Sequence, residues 1–184
     1  MKVFLLIAIL IVGVWLFCIR PGRRFLRQSK PFMGRTFANR GLYTSDQRLP
    51  ENTLAAFLAA VQAGYGIKLE VRLTKDQQVV VFHDETLART CGMETRLDTQ
   101  TYEALTKLSL FETDHRIPLL ADVLAITAGR VPIIVELKAD GDWKSLCAIT
   151  WEILQGYQGD YCVGSFHPLL VRWFYKNAPK VLRG

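Results

Sequence analysis

Apolar positions follow two regimes along the chain. Residues 3–19 form an unbroken apolar run of 17 without a charge, whereas residues 32–184 alternate short apolar runs with stretches of helical spacing. The first regime predicts a helix of ~26 Å, just under the ~30 Å of a bilayer's hydrocarbon core. It ends in the bulky Trp15-Leu16-Phe17-Cys18-Ile19. An uncleaved transmembrane helix is therefore expected rather than a signal peptide, which ends in small residues. The second regime predicts an α/β body with a mostly parallel sheet. Strands are expected over 32–38, 67–73, 79–82, 132–137 and 161–165, and another at Val181-Leu182. Asn52 reads as a helix cap before Leu54, Phe57, Leu58 and Val61, with Gly64 and Gly66 as the stop. Further helices are expected over 119–128, 143–154 and 169–176. Residues 85–117 read as irregular, with a short helix near 102–108.

The link from Leu73 to Val79 is too short for a helical crossover, so the two strands around it should form a hairpin. A centre between Asp76 and Gln77 sets Glu70 opposite His83, which brings an acid to an imidazole. A turn without Gly or Asn leaves that register free to slip by a residue or two.

Charge changes the picture only at one end. The chain has 23 Lys+Arg against 17 Asp+Glu, a net +6. Seven of those basic residues and no acid lie in 1–35, which leaves 16 against 17 in the rest. The body is near neutral and offers no nucleic-acid groove. The basic cluster follows the apolar run, so the positive-inside rule sets the body on the cytoplasmic side of the membrane, with the cluster against anionic headgroups. The expected organisation is a membrane anchor over 1–19, a basic segment over 20–35 and a domain over 36–184. Cys18 lies in the apolar run, and Cys91, Cys147 and Cys162 form no CxxC pair. That argues for reduced thiols and against a disulfide framework or zinc site.

Four clusters could carry chemistry. Asn39-Arg40-Gly41 follows the first strand, Lys68 and Glu70 share a face of the second, His83-Asp84 ends a third, and Glu136 and Lys138 end a fourth. Carboxylates at strand ends could hold a divalent cation. Arg40 could grip a phosphate, and His83 could move a proton at neutral pH. Each also has an ordinary reading, as a solvated strand end, a satisfied turn histidine or a simple ion pair.

Their order says more. The stretches ANRGLY (38–43), PENTLAAFLAAVQAGYGI (50–67), LEVRLTKDQQVVVFHDETLART (69–90), VPIIVELK (131–138) and SFHP (165–168) resemble the glycerophosphodiester phosphodiesterases. The resemblance implies a (β/α)8 TIM-barrel type of fold and hydrolysis of glycerophosphodiesters to glycerol 3-phosphate and an alcohol. It also implies a divalent cation, Ca2+ or Mg2+, held by a Glu-x-Asp pair and a later Glu, with two histidines as acid and base. Carried onto this chain, Arg40 takes the phosphate, His83 is the second histidine and Glu136 the later metal ligand. Lys138 stands beside Glu136, and Glu51 lies near the substrate. The departures are as specific. Asn39 stands at the first histidine, Lys68 and Glu70 at the Glu-x-Asp pair, and Gln77 at the turn glycine.

Asn39 cannot shuttle a proton near pH 7, and Lys68 inverts a ligand's charge. Cation binding is therefore expected to be weakened or lost. The chain is expected to reach about the sixth of eight strands, leaving an open edge for a longer product, another chain or an oligomer to complete. Two functions follow: a membrane-anchored phosphodiesterase, or a catalytically inactive, degenerate relative or fragment that at most binds phosphodiester headgroups.

Overall fold

The computed structural model describes residues 2–19 and 26–184. These fall into two compact units, Met1–Lys30 and Pro31–Gly184. The apolar run forms the expected helix, α1 (Lys2–Ile19), and a single turn, α2 (Leu26–Ser29), follows. Its side chains over 4–16 are exposed. Among the described residues no helix is long and apolar enough to cross a membrane, so the expected span is not supported. Eighteen residues rise only ~27 Å, and Lys2 occupies one end. The basic residues Arg20, Arg23 and Arg24 lie outside the described residues.

In the second unit the chain runs β1 (Phe37–Asn39), α3 (Leu54–Gln62), β2 (Gly66–Leu73), β3 (Val79–Val81), β4 (Thr86–Leu87), α4 (Ala88–Cys91) and β5 (Met93–Arg96). It continues through α5 (Tyr102–Thr106), α6 (Leu120–Thr127), β6 (Ile133–Leu137), α7 (Trp143–Gln155), β7 (Tyr161–Gly164) and α8 (Pro168–Asn177). The main sheet has the order β1-β2-β6-β7, all parallel, with β3 antiparallel on β2.

The period of two along β2 divides the sheet's faces. Ile67, Leu69, Val71 and Leu73 pack with Phe57 and Val61 of α3, Leu120 and Val123 of α6, and Leu146 of α7. Full burial of each such side chain is worth about 1.5–3 kcal/mol before entropy is charged. The other face carries Lys68, Glu70 and Arg72 on β2, with Glu136 beside them on β6 in register with Glu70. One face thus holds the fold together and the other holds the charges.

Five strands, four parallel and one antiparallel, rather than six make up the main sheet among the described residues. The segment 79–82 turns back as a hairpin arm, and the expected strand at Val181-Leu182 is reduced to a bridge between Val163 and Arg183. The first strand is also shorter than 32–38, because Lys30–Phe32 is a 3-10 turn. Residues 85–117 are more ordered than their pattern suggests. They hold β4, β5, α4 and α5 over a second core of Val80, Phe82, Leu87, Leu97, Leu105, Leu110 and Ile117.

The hairpin forms with its register shifted by one. Val71 pairs with Val81 and Leu73 with Val79, so Phe82, whose N–H donates to Glu70 O at 2.9 Å, takes the place expected for His83. The turn is a three-residue loop closed by Thr74 N to Gln78 O at 2.9 Å, with Gln77 at φ +63°. That left-handed residue is the third loop position of a bulged turn. The odd loop length moves the centre onto Asp76.

Candidate functional site

The charged face converges where the strands end. β1 runs out at Asn39, in register with Lys68, and the chain then enters two left-handed residues, Arg40 (φ +63°) and Gly41 (φ +83°). A Cβ on Gly41 would lie 2.8 Å from the Ala56 backbone, so glycine is needed there. Arg40 N donates to Lys68 O at 2.7 Å, and Asn52 N donates to Arg40 O at 2.9 Å. The Arg40 loop is thus pinned between β2 and the start of α3. Thr53 caps α3, accepting from Ala56 N at 3.2 Å. Asn52, expected to be that cap, is instead a buried left-handed residue (φ +56°) whose side chain donates to Glu70 Oε2 at 3.4 Å.

From Arg40 a chain of alternating charge leads outward. Its Nη1 donates to Glu51 Oε1 at 3.0 Å, and its Nε lies 3.8 Å from Glu70 Oε1. Glu51 Oε1 also accepts from Arg89 Nη2 at 2.6 Å, and Arg89 Nε donates to Asp84 Oδ2 at 2.6 Å. Asp84 Oδ1 lies 2.6 Å from His83 Nδ1. Burial raises the Asp84 carboxyl, but hydrogen bonds from Arg89 and His83 outweigh it and leave it below the usual range. An ionised carboxylate only accepts, so Nδ1 carries the hydrogen and Nε2 is the nitrogen free to take a proton. The acid that meets the imidazole is therefore Asp84, not the Glu70 expected from the hairpin.

Arg72, on the same face as Lys68 and Glu70, fixes the backbone below that imidazole. Its Nε and Nη2 donate to His83 O at 3.0 and 2.7 Å, and its Nη1 pairs with Asp140. Burial pushes its guanidinium down to about 10, which still leaves it charged at neutral pH.

The remaining residues form a separate trio. Lys68 Nζ lies 2.9 Å from Glu136 Oε2, and Lys138 Nζ donates to Glu136 Oε1 at 2.6 Å. Burial raises the Glu136 carboxyl, and the two ammonium groups more than reverse that, leaving it below the usual range. Lys68 and Glu136 line a recess of about 330 Å3 with Ile134, Gly164, Ser165 and Phe166. Asn39 is exposed at its strand end and makes no side-chain hydrogen bond among the described residues. His167 of the SFHP stretch is a cap, accepting from Leu169 N at 3.3 Å.

All eight residues singled out from the sequence lie at these strand ends or in this network. Asn52, Arg72 and Arg89 belong with them and were not marked as site residues. Arg72 could have been found by extending the period of two from Lys68 and Glu70. Arg89 is harder to find, because Glu51, which ties it to Arg40, lies 38 positions away.

The sequence profile of the glycerophosphoryl diester phosphodiesterase family matches residues 43–153. The chain belongs to that family. It is 32% identical over 161 residues to a glycerophosphodiester phosphodiesterase of Bacillus altitudinis, covering 81% of this chain and 64% of that one. Among solved structures, it is similar to an Oleispira antarctica phosphodiesterase in complex with the product sn-glycerol-3-phosphate. There the TM-score is 0.75 and the identity 25%, over 83% of this chain and 66% of that one. It is also similar to the glycerophosphodiester phosphodiesterase of Agrobacterium tumefaciens, with a TM-score of 0.68 and 28% identity over 82% and 66% of the two chains. The parallel sheet is thus that of the family's TIM-barrel structures. The chain spans just under two thirds of the Bacillus relative's length.

The divalent cation that the family implies does not fit the residues present. Both oxygens of Glu136 face ammonium groups, those of Lys68 and Lys138. Among the described residues no group of three or more His, Cys, Asp or Glu is placed to hold a metal ion.

Proposed function

We propose that the chain binds a glycerophosphodiester at the carboxyl end of its sheet and that its hydrolytic step is crippled at two positions. One observation carries this reading: Lys68 and Lys138 close on Glu136 at 2.9 and 2.6 Å, where the family reaction calls for a cation. Arg40, held between Glu51 and Glu70, supplies a planar fork for the phosphate. Product bound to the Oleispira relative supports the ligand class. Asn39 stands where the reaction needs a proton carrier, and losing one acid–base partner costs roughly 10²–10⁴ in rate. The test is titration calorimetry with glycerophosphocholine beside an assay for released glycerol 3-phosphate. Binding with little release is expected. Absence of binding, or release at the rate of an intact relative, would refute the reading.

A second reading, slow hydrolysis, is favoured by the 2.6 Å contact of His83 Nδ1 with Asp84, which leaves Nε2 to move a proton. It requires that His83→Ala abolish whatever release is measured.

For localisation we propose attachment to a membrane with the body on the cytoplasmic side. The exposed apolar surface of α1 and the basic residues that follow it support this. Co-sedimentation with anionic vesicles, lost on deleting residues 1–30, is the expected result.

A further inference from the structure

We infer that this site takes its phosphodiester without a divalent cation, the Lys68 ammonium serving as a built-in positive charge. The inference rests on the binding function proposed above and names what holds the anion.

The opposite net charge of the two networks carries it. Arg40 and Arg89 face three carboxylates, Glu51, Glu70 and Asp84, which leaves that network one negative charge in excess. The trio is not matched, since two ammonium groups share the single carboxylate of Glu136. It carries one surplus positive charge, and two of its members, Lys68 and Glu136, line the recess. Its exposed member is Lys68, whose side chain is 33% accessible against 18% for Lys138 and 7% for Glu136. A phosphodiester carries one negative charge and neutralises the trio. A divalent cation would raise the surplus to three, beside two ammonium groups that cannot coordinate it.

The ligand oxygens lead to the same result. Hard divalent cations need about six or more oxygen ligands at ~2.0–2.6 Å. Glu136 has both oxygens on lysines, and Glu51 has Oε1 on two arginines. Glu70 takes Asn52 on one oxygen and faces Arg40 with the other. A lysine is a flexible point charge that suits a phosphate oxygen. One ammonium at the mouth therefore replaces the cation as a source of charge, though not as a Lewis acid. That is consistent with a site that binds better than it turns over.

The test is calorimetry on the full chain with glycerophosphocholine, sn-glycerol 3-phosphate and inorganic phosphate, each in EDTA and in millimolar Ca2+. The expected dissociation constant for glycerophosphocholine differs by less than about twofold between the two media. Lys68→Ala should weaken it by about tenfold or more and Lys68→Arg by much less, since Arg keeps the charge. Lys68→Gln, closer to Lys in length, repeats the charge loss if the alanine variant melts early. Binding seen only with Ca2+ would overturn the inference and leave the proposed function standing. Binding in neither medium would overturn both. Undiminished binding by Lys68→Ala and Lys68→Gln in EDTA would overturn the role of Lys68. Inorganic phosphate binding as tightly as the diester would overturn the diester as the ligand.

Discussion

On one side of the mouth Arg40, Glu51, Arg89, Asp84 and His83 form a chain in which each cation meets an acid. On the other side Lys68 and Lys138 compete for Glu136 alone. The first side holds Arg40, Glu51 and His83, which the resemblance sets at the phosphate, near the substrate and at the second histidine. The second holds Glu136 and Lys138, with Lys68 at the position to which the resemblance assigns a metal-binding carboxylate. The difference is of one side chain, yet it changes what the second side can hold. On the binding proposed above, the recess beside Lys68 takes an anion rather than a cation. The two sides stay coupled through the sheet, because Glu70 and Glu136 are register partners across β2 and β6.

The largest effect is expected on the first side. Glu51 is buried and joins two arginines, so Glu51→Ala leaves both guanidinium groups short of an acceptor. A loss of about 2 kcal/mol is expected, read by urea unfolding. A loss near zero would show that the charge chain is cosmetic. On the second side, Lys68→Glu should cost about 1 kcal/mol by setting like charges together. It should also make the melting temperature rise with Ca2+, which the wild type's does not, since a ligand that binds only the folded state stabilises it. A wild-type melt that rises equally would erase the difference between the sides.

Acid should weaken both. The carboxyls of Asp84 and Glu136 lie below their ordinary values in the folded state. Their stabilisation is therefore complete above about pH 4–5, where unfolded carboxylates are ionised, and is lost as pH falls through the folded values. Urea midpoints taken from about pH 6 down to about pH 2.5 should fall. Asp84→Asn removes the first side's share of that fall and Glu136→Gln the second's. The smallest effect belongs to a control that touches neither side. Gln77 sits at φ +63°, so Gln77→Gly should stabilise the hairpin by roughly 0.5 kcal/mol without changing binding.

The long elements were legible because burial imposes a period. α3, α6, α7 and α8, with β2, β6 and β7, lie within a residue or two of their expected bounds. What escaped was short or tertiary. β5 is mostly exposed and has no alternation to read. The hairpin register turned on the conformation of Gln77, which no pattern displays. The strand count fell short because Val181-Leu182 forms only a bridge, from Val163 to Arg183, and the hairpin arm Val79–Val81 is no parallel strand of the sheet. In the site, residues at strand ends could be named from order and spacing. Arg72 only needed the period of two carried further along β2, but Asn52 and Arg89 could not be named, since Glu70 lies 18 positions from the one and Glu51 lies 38 from the other.

On the function proposed above, Asn39 and Lys68 separate binding from turnover. The direct measurement is glycerol 3-phosphate release from glycerophosphocholine, with Ca2+ or Mg2+, by the wild type and by Asn39→His/Lys68→Glu. The double variant is expected to release product at least ~10²-fold faster, and EDTA is expected to stop it. Equal release by the two proteins, whether fast or absent, would contradict that function.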